Sequence, residues 1–236
     1  MDTSPFWLLT DAMGQTTLGG ASWLRWGRSV THTVWAGSIA GYCCDSVHLP
    51  CLMDPVYERY GATARLWLSE VHDVRAADPV RVASHSWTVL DEWERPTWVD
   101  GPLAMKVRLR FGLLAAAAAH PNPETAARIR TTSLREICVA GSQMERVCAE
   151  SRRHGRVPQA TCLAAMAVRS AAALKGGTPE LADLVSRHYP VYAWYAAMAA
   201  ACACVDLSEL ADEAVRWETQ AIRSHKQTEA MAMAMA

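Results

Sequence analysis

Apolar residues recur at helical spacing along the second half of the chain. Three stripes carry an apolar or small residue at every third or fourth position, which places them on one face of an α-helix. The positions between them are mostly polar, and this arrangement is typical of helices that pack against one another. The stripes are Leu134, Ile137, Gly141, Met144 and Cys148; Leu163, Met166, Ser170 and Ala173; and Leu207, Leu210, Ala214, Trp217 and Ala221.

Capping and helix-breaking residues mark the ends of these helices. Asn122-Pro123-Glu124 and Thr178-Pro179-Glu180 each combine an N-cap residue, a proline at the first helical position and an acid in the first turn. Further helices are predicted to begin near Pro102 and Pro158 and after Asp206. The predicted ends are His120-Pro121, Gly155, Gly176-Gly177 and Tyr189-Pro190.

Two runs in the first half show the two-residue alternation of a β-strand. Apolar and polar side chains alternate from Ala62 to Val71 and again from Val80 to Val89. We predict that the two runs pair as a small antiparallel ribbon, with Asp73 to Asp78 as the connection. Residues 1–60 lack a clear period, and only one or two short helices are predicted there.

The distribution of residue types divides the chain near Asp100-Gly101-Pro102. Most tryptophans precede residue 100, whereas most alanines follow it, and the glycine and proline interrupt regular structure. We predict a mainly α protein, with a bundle of about five to six short helices behind a Trp-rich α+β segment. The predicted ranges are 1–100 for the α+β segment, 101–228 for the helical bundle domain and 229–236 for a low-complexity tail.

Composition and charge exclude several classes of protein. Hydrophobic residues make up 51% of the chain and charged residues 20%, which is typical of a globular protein, and the net charge of −1 indicates no general polyanion-binding surface. The N-terminus lacks the features of a secretory signal. The longest apolar run, Val191 to Val205, is shorter than the roughly 20 residues that span a bilayer. We therefore expect a cytoplasmic protein without a transmembrane segment, whose cysteines are reduced.

The densest group of metal-ligand residue types lies between Cys43 and Cys51. This segment contains three thiols and one imidazole, the ligand types that Zn²⁺ prefers, and a zinc site would use Cys44, His48 and Cys51. Adjacent Cys43 and Cys44 are hard to direct at one ion, and the usual paired two-ligand knuckles are missing. A buried, cysteine-rich turn is the favoured interpretation, and no cofactor is predicted.

No catalytic set is predicted. His72 lies beside Asp73 on a predicted strand, and a histidine near a carboxylate is a suitable general base. However, neighbouring residues of a strand point to opposite faces. The sequence also lacks a nucleophile elbow and the glycine-rich motifs that bind phosphate. Histidines on a strand surface are the favoured interpretation for His72 and His85.

Residues 133–156 support a DNA-binding hypothesis. This segment loosely resembles a helix-turn-helix, and residues 121–170 hold eight arginines against four glutamates, an excess of 8 − 4 = 4 positive charges. The apolar stripe passes through Gly141 without a phase break, which favours one continuous amphipathic helix with a solvated arginine face. The candidate phosphate contacts are Arg146, Arg152, Arg153 and Arg156.

An aromatic group opens the Ala-rich segment and is the predicted partner-binding surface. Tyrosine and tryptophan are over-represented at binding hot spots, although core packing with hydroxyls at the rim is the competing interpretation. The group consists of Tyr189, Tyr192, Trp194 and Tyr195. The leading hypothesis is a non-enzymatic adaptor, assembly or accessory protein that binds another protein. The alternatives are a DNA-binding regulator and a zinc-binding module or metal-dependent enzyme.

Overall fold

The computed structural model combines an antiparallel sheet with four helices over the residues that it describes. These residues are 6–14, 30–33, 39–53, 63–78, 80–100, 102–119, 122–131, 197, 200–201 and 203–234. The strands are β1 (Phe6–Thr10), β2 (Val30–Thr33), β3 (Ile39–Cys43), β4 (Arg65–Ala77) and β5 (Arg81–Trp93). The helices are α1 (His48–Met53), α2 (Pro102–Ala118), α3 (Pro123–Thr131) and α4 (Leu207–Ala234), and a 3₁₀ turn covers Thr97–Val99.

The predicted mainly α class, with its all-helical bundle, is therefore wrong. The strands missed by the sequence analysis are short, with four or five residues each, and the first of them, β1, is buried on both faces. In β1, Leu8 is buried in one core while Trp7 and Leu9 are buried in another. A strand buried on both faces has a continuous apolar run without alternation, so its pattern cannot be told from that of a short buried helix.

The sheet is antiparallel at every described pairing and closes on itself. Its order is β2-β5-β3-β1-β4, and β4 also pairs with β5, so that β1, β3, β5 and β4 form a ring. The strands β2 and β3 pair with successive segments of β5. Closure gives each strand of the ring two neighbours, which is one of the ways in which sheets avoid exposed edges.

The hairpin of β4 and β5 is longer than the predicted ribbon, with 13 residues in each strand. The antiparallel pairing of the two runs is confirmed. The predicted connection, Asp73 to Asp78, is wrong over most of its length because β4 continues to Ala77. Register shifts after Leu68 and after Val74 show that the hairpin is irregular, and Asp73 has a φ of 56°, in the left-handed region.

A small inner core lies on one face of the sheet. It consists of Leu8, Trp67, Trp87 and Val89, with Phe6, Val71 and Val82 packed against them. Both buried indoles have acceptors: Trp67 Nε1 donates to Thr10 Oγ1 at 2.9 Å and Trp87 Nε1 donates to the Ser84 carbonyl at 3.2 Å. These bonds satisfy the polar groups that the tryptophans bring into the core.

The main core lies between the other face of the sheet and the helices. Trp7, Leu9, Tyr42 and Leu66 from the strands share one buried cluster with residues of all four helices. The members from the helices include Leu49, Leu52, Val107, Phe111, Leu114, Ile129, Leu210 and Ala214. The cluster therefore takes residues from both sides of the boundary predicted near residue 100, and the division into domains stays a prediction.

Three of the predicted helix starts are confirmed. The helices α2 and α3 begin at Pro102 and Pro123, and α4 begins directly after Asp206. Asp206 caps α4, since its Oδ1 accepts hydrogen bonds from the backbone N–H groups of Ser208 at 2.8 Å and Glu209 at 3.4 Å. The predicted starts near Pro158 and Thr178, together with the stripes between residues 134 and 173, lie outside the described residues.

Candidate functional site

An open groove at the end of the β4–β5 hairpin is the strongest candidate for a binding site. Residues 63–65 and 92–95 line it, and we call it the Trp93 groove; its volume is about 420 Å³. Trp93 is 47% exposed in it, although it is a large apolar side chain. Exposed aromatic surface inside a concave site is typical of protein interaction sites.

Strand pairing fixes the position of Trp93. The residue ends β5 and pairs with Leu66 at the start of β4, so that its backbone belongs to the ladder. Its ring also contacts the buried Trp7, with 5.6 Å between the ring centroids and 84° between the planes. A side chain held in this way loses little conformational freedom when a partner binds.

The two arginines of the groove are each bound to a carboxylate. Arg65 donates from Nε and Nη2 to the two carboxylate oxygens of Glu92, at 2.7 and 2.6 Å. This hydrogen bonding raises the pKa of Arg65, and its guanidinium also lies 4.4 Å from the ring centroid of Trp67. Arg95 makes a similar double contact with Asp100, at 3.3 and 3.0 Å. The positive charges of the groove are thus neutralised by neighbouring groups.

Glu94 is the one charged residue of the groove lining that takes part in neither of these ion pairs. It is exposed beside Trp93 and lies in the groove lining. No ion pair or hydrogen bond of its side chain occurs among the residues that the structure describes. The groove therefore offers an exposed indole together with an uncompensated carboxylate, and both groups attract cations.

The predicted zinc ligands meet in the fold but bind other groups. The Cys44 and Cys51 thiols donate to the backbone carbonyls of Ser46 and Val47, both at 3.4 Å. Burial, and second the neighbouring Cys43, raise the pKa of the Cys44 thiol, whereas a zinc ligand must be a thiolate. Within the described ranges, no three His, Cys, Asp or Glu side chains are placed to hold a metal ion.

His48 contacts Trp98, a residue 50 positions away that the sequence did not indicate as its partner. Trp98 Nε1 donates a hydrogen bond to His48 Nδ1 at 3.0 Å, and the two rings are in edge contact. An imidazole nitrogen that accepts carries no proton, so the ring is the neutral tautomer protonated on Nε2. Burial lowers the pKa of His48, and the carboxylate of Asp212 opposes that effect.

Ser46 joins the cysteine-rich turn to α4. Its Oγ donates to Asp212 Oδ1 at 2.5 Å and accepts from the backbone N–H of His48 at 3.1 Å. A catalytic triad would need the serine hydroxyl to donate to the imidazole ring. Here the serine contacts the backbone of His48 and not its ring. Ser46, His48 and Asp212 therefore link α1 to α4 and do not form a catalytic triad.

The two histidines of the hairpin are surface or rim residues. His72 Nε2 shares a hydrogen bond of 2.8 Å with Thr88 Oγ1 across the β4–β5 pair. Asp73 forms an ion pair with Arg75 instead of approaching His72. His85 is half-buried on β5. His72 and Asp73 therefore do not form the histidine–carboxylate pair that a general base would use.

The two sets of residues predicted to bind macromolecules lie outside the described part of the chain. These are the aromatic group Tyr189, Tyr192, Trp194 and Tyr195, and the arginines Arg146, Arg152, Arg153 and Arg156. Both assignments stay predictions. The sequence analysis missed Trp93, although its position in the charged run Asp91-Glu92-Trp93-Glu94-Arg95 was a usable signal.

Comparisons with known proteins add no family to these observations. No protein-family model, no curated protein and no solved structure matches the chain. Among the described helices, none has both the length and the apolar character needed to cross a bilayer.

Proposed function

We propose that this chain is a non-enzymatic cytoplasmic protein that acts as an adaptor, assembly or accessory factor by binding another protein through the Trp93 groove. One observation carries the proposal: a tryptophan whose ring packs against Trp7 is half exposed in a groove at the end of a strand. Tryptophan is the residue type most enriched at binding hot spots, because it removes a large area from water with few rotatable bonds.

The shape of the groove supports a protein partner over a small ligand. Ligand pockets enclose most of the molecule that they bind and are lined mainly by apolar groups. The Trp93 groove is open to solvent, and four of its seven lining residues are charged. One aromatic anchor inside a polar rim is the usual anatomy of a protein–protein contact.

The proposal is tested by binding with matched variants. A protein captured from a cell extract would be purified, and its affinity for wild-type chain, Trp93→Ala and Leu90→Ala would be measured by calorimetry. Leu90 is a suitable control because it is 42% exposed on the same strand but lies outside the groove. We expect Trp93→Ala to weaken binding about tenfold or more, which corresponds to the loss of a hot spot.

The result that contradicts the proposal is a partner that binds wild type and Trp93→Ala equally well. The double variant Tyr192→Ala with Tyr195→Ala would be measured in the same experiment, because those residues are the partner surface predicted from the sequence. Circular dichroism and thermal unfolding of each variant would separate lost binding from lost folding.

A further inference from the structure

We infer that the Trp93 groove receives a cationic side chain, arginine or lysine, from the partner protein, with the cation over the Trp93 indole and paired with Glu94. This inference rests on the proposed function and names the chemistry of the partner. It follows from the charges of the groove, from the exposure of the indole and from two contacts inside the same molecule.

The charges of the groove favour a cation. Arg65 and Arg95 are each held by two hydrogen bonds to a carboxylate, those of Glu92 and Asp100. Asp100 lies outside the groove lining but neutralises Arg95, so these two pairs together with Glu94 carry two positive and three negative charges, a balance of 2 − 3 = −1. An anionic partner would meet this excess negative charge, whereas a cation would compensate it without disturbing either existing pair.

Two other tryptophans of the molecule each have an arginine over the ring. Arg65 lies over Trp67 and Arg110 lies over Trp217, each with 4.4 Å from the guanidinium carbon to the ring centroid. These distances are within the range of an attractive cation–π contact, which is about 6 Å. Among the residues described, no cation lies over the ring of Trp93, which is the tryptophan with the largest exposed fraction. The partner would supply the missing cation.

The position of Glu94 makes the site specific for charge and not only for apolar surface. A carboxylate beside the ring adds a hydrogen-bond acceptor for an ammonium or guanidinium group. A partner residue with an apolar side chain would leave that carboxylate partly desolvated and unpaired. The groove should therefore discriminate between side chains of equal length and different charge.

The test uses the full chain and short peptide probes. An uncharged peptide with one central arginine would be compared with the same peptide carrying citrulline, which has nearly the same shape but no charge, and with one carrying glutamate. Binding would be followed by the nuclear magnetic resonance of the Trp93 indole N–H, identified with Trp93→Phe. We expect a saturable shift with the arginine peptide and binding about tenfold weaker with citrulline.

Glu94→Gln provides the matched variant, because Glu94 is exposed and its change leaves Trp93 in place. We expect this variant to weaken binding of the arginine peptide by about threefold or more, with the effect decreasing at high salt. Leu90→Ala should leave the affinity unchanged. Equal binding of the arginine and citrulline peptides, or no effect of Glu94→Gln, would overturn the inference.

The outcomes separate this inference from the proposed function. If binding of the partner depends on Trp93 but the chain prefers the glutamate peptide, the cationic side chain is contradicted and the interaction site is retained. If the arginine peptide binds saturably but Trp93→Ala does not change binding of the partner, the cation site is supported and the proposed function is contradicted.

Discussion

Arg110 of α2 and Glu218 of α4 form a buried ion pair, with 2.9 Å between Nε and Oε1 and only 4% and 6% of the two side chains exposed. Arg110 is further fixed by the ring of Trp217 and by the carbonyl of Arg130, to which Nη1 donates at 3.4 Å. One arginine thus touches α4 and α3 from α2. Its contacts set how these helices pack beside the sheet that carries the Trp93 groove.

Removing one partner of this pair should be far more harmful than removing both. In Glu218→Gln the buried guanidinium would keep its charge and lose the carboxylate that pairs with it, and we expect a loss of roughly 3–5 kcal/mol in the free energy of unfolding. Arg110→Met with Glu218→Leu should recover most of that loss, because neither charge is then buried. Denaturant unfolding of the single and double variants gives the coupling energy.

A surface pair provides the control for this experiment. Arg95 and Asp100 are 25% and 46% exposed, and Asp100→Asn should change the free energy of unfolding by at most about 1 kcal/mol. If Glu218→Gln were as mild as Asp100→Asn, the burial of the Arg110–Glu218 pair would be contradicted.

The burial of His48 should make stability depend on pH. Folding lowers the pKa of His48 below its ordinary value of 6.5, chiefly by burial. The unfolded chain therefore binds more protons between the folded and unfolded pKa values. The stabilisation is fully present above the unfolded value and is lost as the pH falls through it towards the folded pKa. Protonation of Nδ1 also removes the acceptor for Trp98 Nε1.

The measurement compares the free energy of unfolding of wild type and His48→Asn from about pH 7 to about pH 5. The asparagine amide oxygen offers an acceptor near the Nδ1 position and does not titrate. Its slope with pH should be smaller than that of wild type over this window. An equal slope in the two proteins would show that another group carries the pH dependence, and a titration of the His48 ring by magnetic resonance would test the direction of its pKa shift.

Local signals predicted local structure well. The starts of α2, α3 and α4 follow from prolines and cap residues within one turn, as with the Asp206 carboxylate that accepts from Ser208 N–H. The hairpin of β4 and β5 was visible because apolar and polar residue types alternate along much of each run. Capping and alternation depend on residues a few positions apart, so a single sequence contains them.

Contacts between distant parts of the chain were not predictable in the same way. Arg110 and Glu218 are 108 positions apart, and Ser46 and Asp212 are 166 apart. For each of these four residues, the neighbouring sequence gives no indication of its partner. β1 was missed because Trp7 and Leu8 face two different cores. The Trp93 groove depends on such a contact too, since Trp7 supports the ring of Trp93 from another strand.

The strand β4 contains one buried hydroxyl whose removal should be stabilising. Ser69 is 2% exposed, and its Oγ has no hydrogen-bond partner among the described atoms. A buried hydroxyl that is not hydrogen-bonded is unfavourable by about 1–3 kcal/mol, so we expect Ser69→Ala to increase the free energy of unfolding by about 1 kcal/mol. Thermal or urea unfolding measures the change.

Thr10→Val provides the comparison with opposite sign. The Thr10 hydroxyl accepts the indole N–H of Trp67, so its removal leaves that buried donor unpaired and should be destabilising by about 1–3 kcal/mol. If both substitutions were destabilising by the same amount, Ser69 would have a partner in solution.

The inner core also requires a glycine at position 41. A Cβ atom there would lie 2.6 Å from Cη2 and 2.9 Å from Cζ3 of Trp87, a fully buried ring, and 3.1 Å from a methyl group of Leu8. Since these atoms belong to a packed core, Gly41→Ala should be destabilising by about 1–3 kcal/mol. Trp87→Phe removes the two clashing ring atoms, but it leaves a cavity and should be destabilising alone. The double variant should therefore be more stable than the sum of the single effects predicts, and strict additivity in urea unfolding would contradict the close approach of β3 to Trp87.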